Sequence, residues 1–250
     1  MAGRRMTTGI KGLDEMLDGG FLPGSMVLVR GAPGTGKTSL ALQFLVHGAV
    51  KCNEPGLLIS FEEFPYSLYR DAEALGWDLR ELEAGRGAVT APLHLMFTSP
   101  EVFLASLKSP DSRLNRFVRD TSIQRLVLDS VTHFDRLTND AQELRRIYTS
   151  VANGLRREGV TAILLGEEGQ AEYRRVFKGG LSFIVDAIIL LRYVEIESTM
   201  QRAILVLKMR GSNHAKEIRR YEIGPGGLTV LDVFQGREGL FSGAPHRALP

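Results

Sequence analysis

The chain has 250 residues, of which 44% are hydrophobic and 24% charged, and this balance excludes a disordered chain. Its 31 lysines and arginines against 29 aspartates and glutamates leave a net charge of +2, so charge alone indicates neither a nucleic acid nor a membrane surface as partner. The single cysteine, Cys52, excludes an internal disulfide, and His94 and His133 have no metal-spaced companions. No apolar run reaches the roughly 18 residues of a membrane helix, so we expect a cytoplasmic protein without a membrane segment.

Apolar runs alternate with amphipathic segments from residue 25 to about residue 165. Four runs are apolar almost throughout and predict strands buried on both faces: residues 26–29, 57–61, 126–129 and 161–165. Helical spacing predicts one helix over residues 38–50 and another along Leu144, Ile147, Tyr148, Val151 and Leu155. Asn139 with Gln142 suits the start of the second helix, and Gly159 suits its end. The alternation predicts an α/β fold in which helices cover both faces of a mostly parallel sheet.

The pattern changes after residue 185, where strand-like runs follow one another without helices. Residues 187–194, 202–209, 220–223 and 228–231 predict strands, with turns at residues 211–213 and 224–227. We expect these C-terminal strands to extend the parallel core in antiparallel fashion. One domain is predicted over residues 1–234, and residues 235–250, which contain glycine and proline, are predicted to form an extended tail.

A glycine-rich segment follows the first predicted strand. Residues 31–38 read Gly-Ala-Pro-Gly-Thr-Gly-Lys-Thr and fit the pattern G-x-x-x-x-G-K-[ST] in full, with a helix starting inside it. Glycines let backbone N–H groups converge on phosphate oxygens, the lysine reaches the β- and γ-phosphates, and the threonine hydroxyl binds Mg²⁺. The segment predicts a site for nucleotide phosphates and Mg²⁺ formed by Gly31, Ala32, Pro33, Gly34, Thr35, Gly36, Lys37, Thr38 and Ser39.

Three carboxylates follow buried strands at the edge of the sheet where we expect the phosphate loop. Asp129 ends the run at residues 125–129 and is predicted to hold Mg²⁺ through water. Glu62 and Glu63 follow the strand at residues 57–61, where one of them can accept the proton of the water that attacks the γ-phosphate. Taken alone, Asp129 also fits a loop cap, and the glutamate pair also fits an acidic turn before Pro65.

Together these motifs resemble the KaiC-like branch of the RecA superfamily of ATPases. The resemblance covers roughly residues 6–232 and includes residues 8–20 before the first strand, the glutamate pair, Asp129 with Ser130, and residues 208–214, which fit the late motif K-x-R-G-x-x-H. It implies a RecA-like P-loop core that binds ATP and Mg²⁺ and assembles into a homo-oligomeric ring, usually hexameric. It also implies that Lys208 and Arg210 contact the γ-phosphate of a neighbouring subunit, and that His214 and Lys216 approach the nucleotide from the same side.

Two departures from the circadian members of the family limit what the resemblance implies. Those members have two ATPase domains in tandem, whereas one is predicted here. Their phosphorylated Ser-Thr pair corresponds to Ser182 and Phe183 in this chain, so we expect no two-site phosphorylation cycle. The leading hypothesis is a Mg-dependent ring ATPase with a regulatory or signalling role and an unidentified protein partner.

Two alternatives stay open at this stage. A RecA-like recombination or repair ATPase would bind DNA through basic residues, and arginine pairs occur at residues 145–146, 156–157, 174–175 and 219–220. Glutamates flank these pairs, which favours ion-paired surfaces, and the predicted loop at residues 167–180 mixes Arg174, Arg175 and Lys178 with three glutamates. The other alternative is a kinase that phosphorylates itself or a protein client.

Overall fold

The computed structural model describes residues 4–62, 65–86, 89, 91–167, 180–234, 237–238, 240–241 and 246–247. Its sheet contains β1 (Met26–Gly31), β2 (Gly56–Ser60), β3 (Leu93–Phe97), β4 (Arg125–Asp129), β5 (Thr161–Glu167), β6 (Ala187–Ile196), β7 (Thr199–Met209), β8 (Arg219–Gly224) and β9 (Gly227–Val233). The strand order is β3-β2-β4-β5-β1-β6-β7-β8-β9. The strands from β3 to β6 in this order are parallel, and β7, β8 and β9 are added by antiparallel pairing. The predicted parallel core with an antiparallel extension is therefore confirmed.

The helices are α1 (Leu13–Met16), α2 (Lys37–His47), α3 (Pro65–Ala74), α4 (Leu79–Glu83), α5 (Pro100–Lys108), α6 (Arg113–Asp120), α7 (Ala141–Arg157) and α8 (Leu181–Ile184). A π-helical turn, Gly48–Cys52, continues α2, and a 3-10 turn, Val131–Arg136, follows β4. The predicted cap of α7 is wrong by one residue. Asp140, not Asn139, is its last extended residue, and the Asp140 side chain accepts a hydrogen bond from the backbone N–H of Gln142. Gly159 follows the end of α7 with a φ of +70°, as predicted.

Alternate residues of each buried strand face two separate cores. On β1, Val27 and Val29 pack in the core that contains α2, whereas Met26 and Leu28 pack in the core that contains α5, α6 and α7. Because both faces of the strand are buried, every position on it needs an apolar side chain. This requirement explains why continuous apolar runs, and not alternating ones, mark the parallel strands in the sequence.

A buried ion pair connects neighbouring elements at the amino-terminal ends of the parallel strands. Arg125, the first residue of β4, is fully buried, and its guanidinium donates hydrogen bonds to Glu54 at 2.7 Å and to the carbonyl oxygens of Phe44 at 2.7 Å and Thr7 at 2.9 Å. Its charge also lies 4.4 Å from the centroid of the Phe44 ring. These contacts join β4, α2 and the N-terminal segment at the edge of the sheet away from the phosphate loop.

The described part of residues 235–250 differs from the predicted extended tail. Two short strands, β10 (Arg237–Glu238) and β11 (His246–Arg247), pair with each other in antiparallel fashion. Leu240 and Phe241, which lie between these strands, are each 6% exposed and belong to the core that contains α7. Burying these two large apolar side chains stabilises the packing of the segment against that core. The other residues of this stretch lie outside the described ranges.

Candidate active site

The phosphate loop, residues 31–38, joins β1 to α2 and depends on its glycines. Gly34 and Gly36 have φ values of +77° and +90°, which L side chains rarely adopt, and Gly36 caps the start of α2. A Cβ on Gly36 would lie 2.2 Å from Cδ1 of Ile223, and a Cβ on Gly31 would lie 2.6 Å from the carbonyl oxygen of Leu191. The glycines are therefore required by close packing against β6 and β8 as well as by the turn itself.

Lys37, the first residue of α2, folds across the loop. Its Nζ donates hydrogen bonds to the carbonyl oxygens of Gly31 at 3.0 Å and Ala32 at 3.2 Å. Burial lowers the pKa of the Lys37 ammonium group, and the carboxylates of Glu167 and Asp129 act in the opposite direction. If phosphate were bound at the loop, Lys37 could donate to charged phosphate oxygens in place of these two neutral carbonyl oxygens. Hydrogen bonds to charged acceptors are the stronger ones.

The two predicted metal ligands lie in direct contact. Thr38 Oγ1 donates a hydrogen bond to Oδ2 of Asp129 at 3.1 Å, although 91 residues separate them. Burial raises the pKa of Asp129, while the hydrogen bond from Thr38 and the charge of Lys37 lower it. A hydroxyl and a carboxylate oxygen are the hard donors that Mg²⁺ prefers, and a cation here would neutralise a partly buried carboxylate. The donor set therefore fits the metal that the phosphate-loop pattern implies.

Glu62 lies beside Asp129, two residues beyond the end of β2. The backbone N–H of Phe61 donates to the carbonyl oxygen of Asp129 at 2.8 Å, which continues the pairing of β2 with β4 to this edge of the sheet. The Glu62 side chain is 63% exposed, and its Oε2 lies 3.1 Å from Nε2 of His133. Glu63 lies outside the described residues, so Glu62 is the one member of the predicted pair that the structure places at the site.

Three side chains that the motifs do not include contact this region. His133, in the 3-10 turn after β4, makes the contact with Glu62. The hydroxyl of Tyr193 on β6 donates to the carbonyl oxygen of Gly34 at 2.6 Å, and the hydroxyl of Tyr221 on β8 donates to that of Thr35. No local spacing marks these residues, because only the pairing of the strands brings them to the loop.

Lys208 and Arg210 bond to the short helix α8 and the residue after it. Lys208 Nζ donates to the carbonyl oxygens of Ser182 at 2.8 Å and Val185 at 2.7 Å, and Arg210 donates to that of Phe183. Burial, together with the charge of Arg210, lowers the pKa of Lys208. Both cations are therefore held by backbone carbonyls of α8 and of Val185, and not by their own phosphate loop.

The register of the sheet separates these cations from the phosphate loop. The backbone N–H of Arg210 donates to Asp186 O, and that of Asp186 donates to Met26 O, both at 2.8 Å, so Arg210 is level with the start of β1. Gly31 follows Met26 by five residues, or about 17 Å at ~3.3 Å per residue. Arg210 and the phosphate loop thus lie at opposite ends of the parallel strands. Lys208 is level with Leu28, and its side chain bonds to carbonyl oxygens at the Arg210 end.

His214 and Lys216 lie in the loop between β7 and β8, against the N-terminal segment. The backbone N–H of Ala215 between them donates to the carbonyl oxygen of Met16 at 2.8 Å. Both side chains line a cleft of about 370 Å³ together with Glu15 and Asp18. Among the described residues, neither side chain forms a hydrogen bond with the phosphate loop.

Other predicted features concern the surface. Arg156 contacts Asp186 at 3.2 Å and Arg157 contacts Glu158 at 3.6 Å, as expected for ion-paired arginines, whereas Arg174, Arg175 and Lys178 lie outside the described residues. Within the described ranges, no helix is long and apolar enough to cross a membrane. The same ranges contain no group of three or more His, Cys, Asp or Glu side chains arranged to hold a metal ion.

Comparisons with known proteins identify chains that are similar in sequence and fold. A family model described as "ATPase: KaiC" matches residues 6–233. The circadian clock oscillator proteins KaiC of Thermostichus vulcanus and Rippkaea orientalis are 37% and 36% identical over 245 residues, which are 97% of this chain and 45% of each relative. The chain therefore spans about half the length of these curated relatives. The crystal structure of a KaiC-like protein from the hyperthermophilic archaeon Pyrococcus horikoshii OT3 is similar with a TM-score of 0.79 and 31% identity, covering 92% of this chain and 99% of that one.

Proposed function

The chain belongs to the KaiC family of ATPases, and we propose that it binds Mg-ATP at the phosphate loop and hydrolyses it. The observation that carries the proposal is the contact of Thr38 with Asp129 beside Lys37, because it joins a phosphate-binding loop to a pair of oxygen ligands. Mg²⁺ held by these two residues would neutralise charge on the β- and γ-phosphates. Lys37 would bind the same phosphates from the loop side.

The base in this proposal is Glu62, with Glu63 as the alternative. An oxygen of the carboxylate accepts a proton from a water molecule as the water oxygen forms a bond to the γ-phosphorus. The bond between that phosphorus and the bridging oxygen breaks, and its electron pair leaves with ADP. The proton then passes from the carboxylic acid to solvent. The exposed position of Glu62 supports this role, because the attacking water must reach it.

The proposal includes an active site shared between subunits. Arg210 lies about 17 Å, and Lys208 about 10 Å, along the strand direction from Gly31 of their own chain, and both side chains bond to carbonyl oxygens at or next to α8 and not to the phosphate loop. In a ring of identical subunits, which we propose to be hexameric, they can face the loop of a neighbour and stabilise charge on the transferring phosphoryl group. Hydrolysis would then change contacts between subunits and regulate the affinity for a protein partner.

Phosphate release from ATP tests the catalytic part of this proposal. Wild-type protein with excess Mg²⁺ is expected to release phosphate, and EDTA is expected to stop the release until Mg²⁺ is restored. Lys37→Ala should weaken ATP binding and abolish hydrolysis while unfolding at a similar urea concentration, since the lysine side chain belongs to neither hydrophobic core. Lys51→Ala, which changes an exposed lysine beyond the far end of α2, is the matched control. Normal hydrolysis by Lys37→Ala would refute the assignment.

A further inference from the structure

The contact between Glu62 and His133 pairs an exposed side chain with a largely buried one. The two residues are 71 positions apart, and Glu62 Oε2 lies 3.1 Å from His133 Nε2. The glutamate side chain is 63% exposed, whereas the histidine side chain is 14% exposed. An exposed glutamate loses rotamer freedom when one geometry is imposed on it, so a partner is needed to hold it in a single orientation.

The imidazole is suited to be that partner because its own position is set by packing. Its ring lies edge-on to Phe61, with centroids 6.2 Å apart and planes at 73°. Phe61 also packs edge-on against Phe103 and Phe134, at 5.6 Å and 5.5 Å. The backbone N–H of His133 donates to the carbonyl oxygen of Ser130, which fixes the start of the 3-10 turn. The orientation of the ring is therefore set by its packing against Phe61, just beyond β2, and by the 3-10 turn that follows β4.

The contact gives the two carboxylate oxygens of Glu62 different hydrogen-bonding roles. A hydrogen on Nε2, present in the Nε2–H tautomer and in the imidazolium, is donated to Oε2 of Glu62. Among the residues that the structure describes, the carboxylate forms no other side-chain hydrogen bond, which leaves Oε1 to accept from water. We propose that His133 is a positioning residue that orients the Glu62 carboxylate toward the water attacking the γ-phosphate. The inference rests on the proposed function, in which Glu62 is the base.

Steady-state ATPase kinetics of three variants test the positioning role. His133→Ala is expected to lower kcat about 10- to 100-fold, the cost of a misplaced catalytic group, with KM for ATP changed by less than about twofold. His133→Gln is expected to recover most of kcat, because its amide nitrogen can occupy the place of Nε2 and donate the same hydrogen bond. In the Glu62→Gln background, His133→Ala should lower kcat no further, since the base that it positions is already lost.

Control variants and folding measurements separate this role from packing. His94→Ala on β3 removes a second imidazole that lies edge-on to a phenylalanine, Phe117 at 5.0 Å, and should leave kcat unchanged. Urea unfolding of each variant reports folding, and His133→Gln serves as the test if His133→Ala does not fold. A purely structural His133 would lower kcat by the same factor in the wild-type and Glu62→Gln backgrounds, and this result would overturn the inference.

The remaining outcomes distinguish this inference from the proposed function. Wild-type protein that hydrolyses no ATP overturns both. Active wild type with full kcat in His133→Ala overturns the positioning role alone. Full kcat in Glu62→Gln with loss of kcat in Glu63→Gln would make Glu63 the base, which also overturns the positioning role and leaves the ATPase activity in place.

Discussion

The hydroxyl of Tyr193 donates a hydrogen bond to the carbonyl oxygen of Gly34, 159 residues earlier in the chain, at 2.6 Å. The buried hydroxyl of Tyr221 makes the same kind of contact with Thr35, two strands further along the sheet. The guanidinium of Arg202 lies 5.5 Å from the centroid of the Tyr193 ring and fixes it from the neighbouring strand. The antiparallel extension is therefore a support for the phosphate loop, and the shape of the loop depends on residues outside its own motif.

Removing either tyrosine hydroxyl should loosen the loop. Tyr221→Phe removes the hydrogen bond to a buried carbonyl oxygen and should lower the free energy of unfolding by about 1–3 kcal/mol. This variant should also weaken ATP binding. Tyr193→Phe removes a more exposed hydrogen bond and should lower the free energy of unfolding by about 1 kcal/mol or less. Urea unfolding and calorimetric ATP titration measure the two effects. Tyr69→Phe, whose hydroxyl bonds Glu83 between α3 and α4, is the control and should leave ATP affinity unchanged. Unaltered affinity in both loop variants would contradict the supporting role.

The sequence predicts the parallel core well for a physical reason. Strands buried on both faces, such as β1 and β4, are apolar at nearly every position and stand out as runs. The edge strand β3 is absent from the prediction because its residues, His94 among them, are mostly half-buried and form no such run. Thr38 and Asp129 could be paired in advance because parallel strands share one edge. His133, Tyr193 and Tyr221 could not, because their positions depend on turn geometry and strand register.

Asp129→Asn should stabilise the ligand-free protein and weaken Mg-ATP binding. The amide keeps the shape of the side chain and can accept the hydrogen bond from Thr38, but it places no charge at this partly buried position. We expect the free energy of unfolding at neutral pH to rise by about 1 kcal/mol without ligand, and the stabilisation conferred by Mg-ATP to fall.

The pH dependence of this effect follows from the direction of the pKa shift. Burial raises the pKa of Asp129, so the folded protein binds this proton more tightly than the unfolded chain does. Wild type should lose stability as pH rises from the ordinary range of an aspartate through the folded pKa, and the advantage of Asp129→Asn should shrink as pH falls toward that range. Urea unfolding across this pH range checks the trend. A variant that is less stable than wild type at neutral pH without ligand would contradict it.

Ser182 is not expected to carry stable phosphate. This residue of α8 is 4% exposed, its carbonyl oxygen accepts a hydrogen bond from Lys208, and Phe183 occupies the neighbouring position. A phosphate would place about −1.5 to −2 charges on this buried hydroxyl, which burial opposes. Intact-mass analysis after long incubation with Mg-ATP should therefore show the unmodified chain. A stoichiometric gain of about 80 Da mapped to Ser182 would instead favour the autophosphorylating kinase.

A site shared between subunits makes ATPase activity depend on assembly. Because Lys208 and Arg210 bond to carbonyl oxygens at or next to α8 and not to the phosphate loop of their own chain, a monomer would hold only part of each catalytic site. The rate per subunit should rise with protein concentration, and ATP should promote assembly by binding across the interface. Arg210→Ala should still bind ATP but turn over about 10³-fold more slowly, the scale of losing an arginine finger.

Mixing two inactive variants gives the sharper test of the shared site. Arg210→Ala keeps an intact phosphate loop, and Lys37→Ala keeps an intact Lys-x-Arg pair. In a mixed ring, the loop of the first variant can face the cations of the second, so partial activity should return as subunits exchange. Native mass spectrometry establishes that mixed rings have formed, and a mixture of Arg210→Ala with Lys37→Ala/Arg210→Ala is the control that should stay inactive. Mixed rings that recover no activity would mean that these cations do not act across the interface. The position of Arg210, about 17 Å along the strand direction from Gly31, would then have to serve a purpose other than contact with a neighbour's nucleotide.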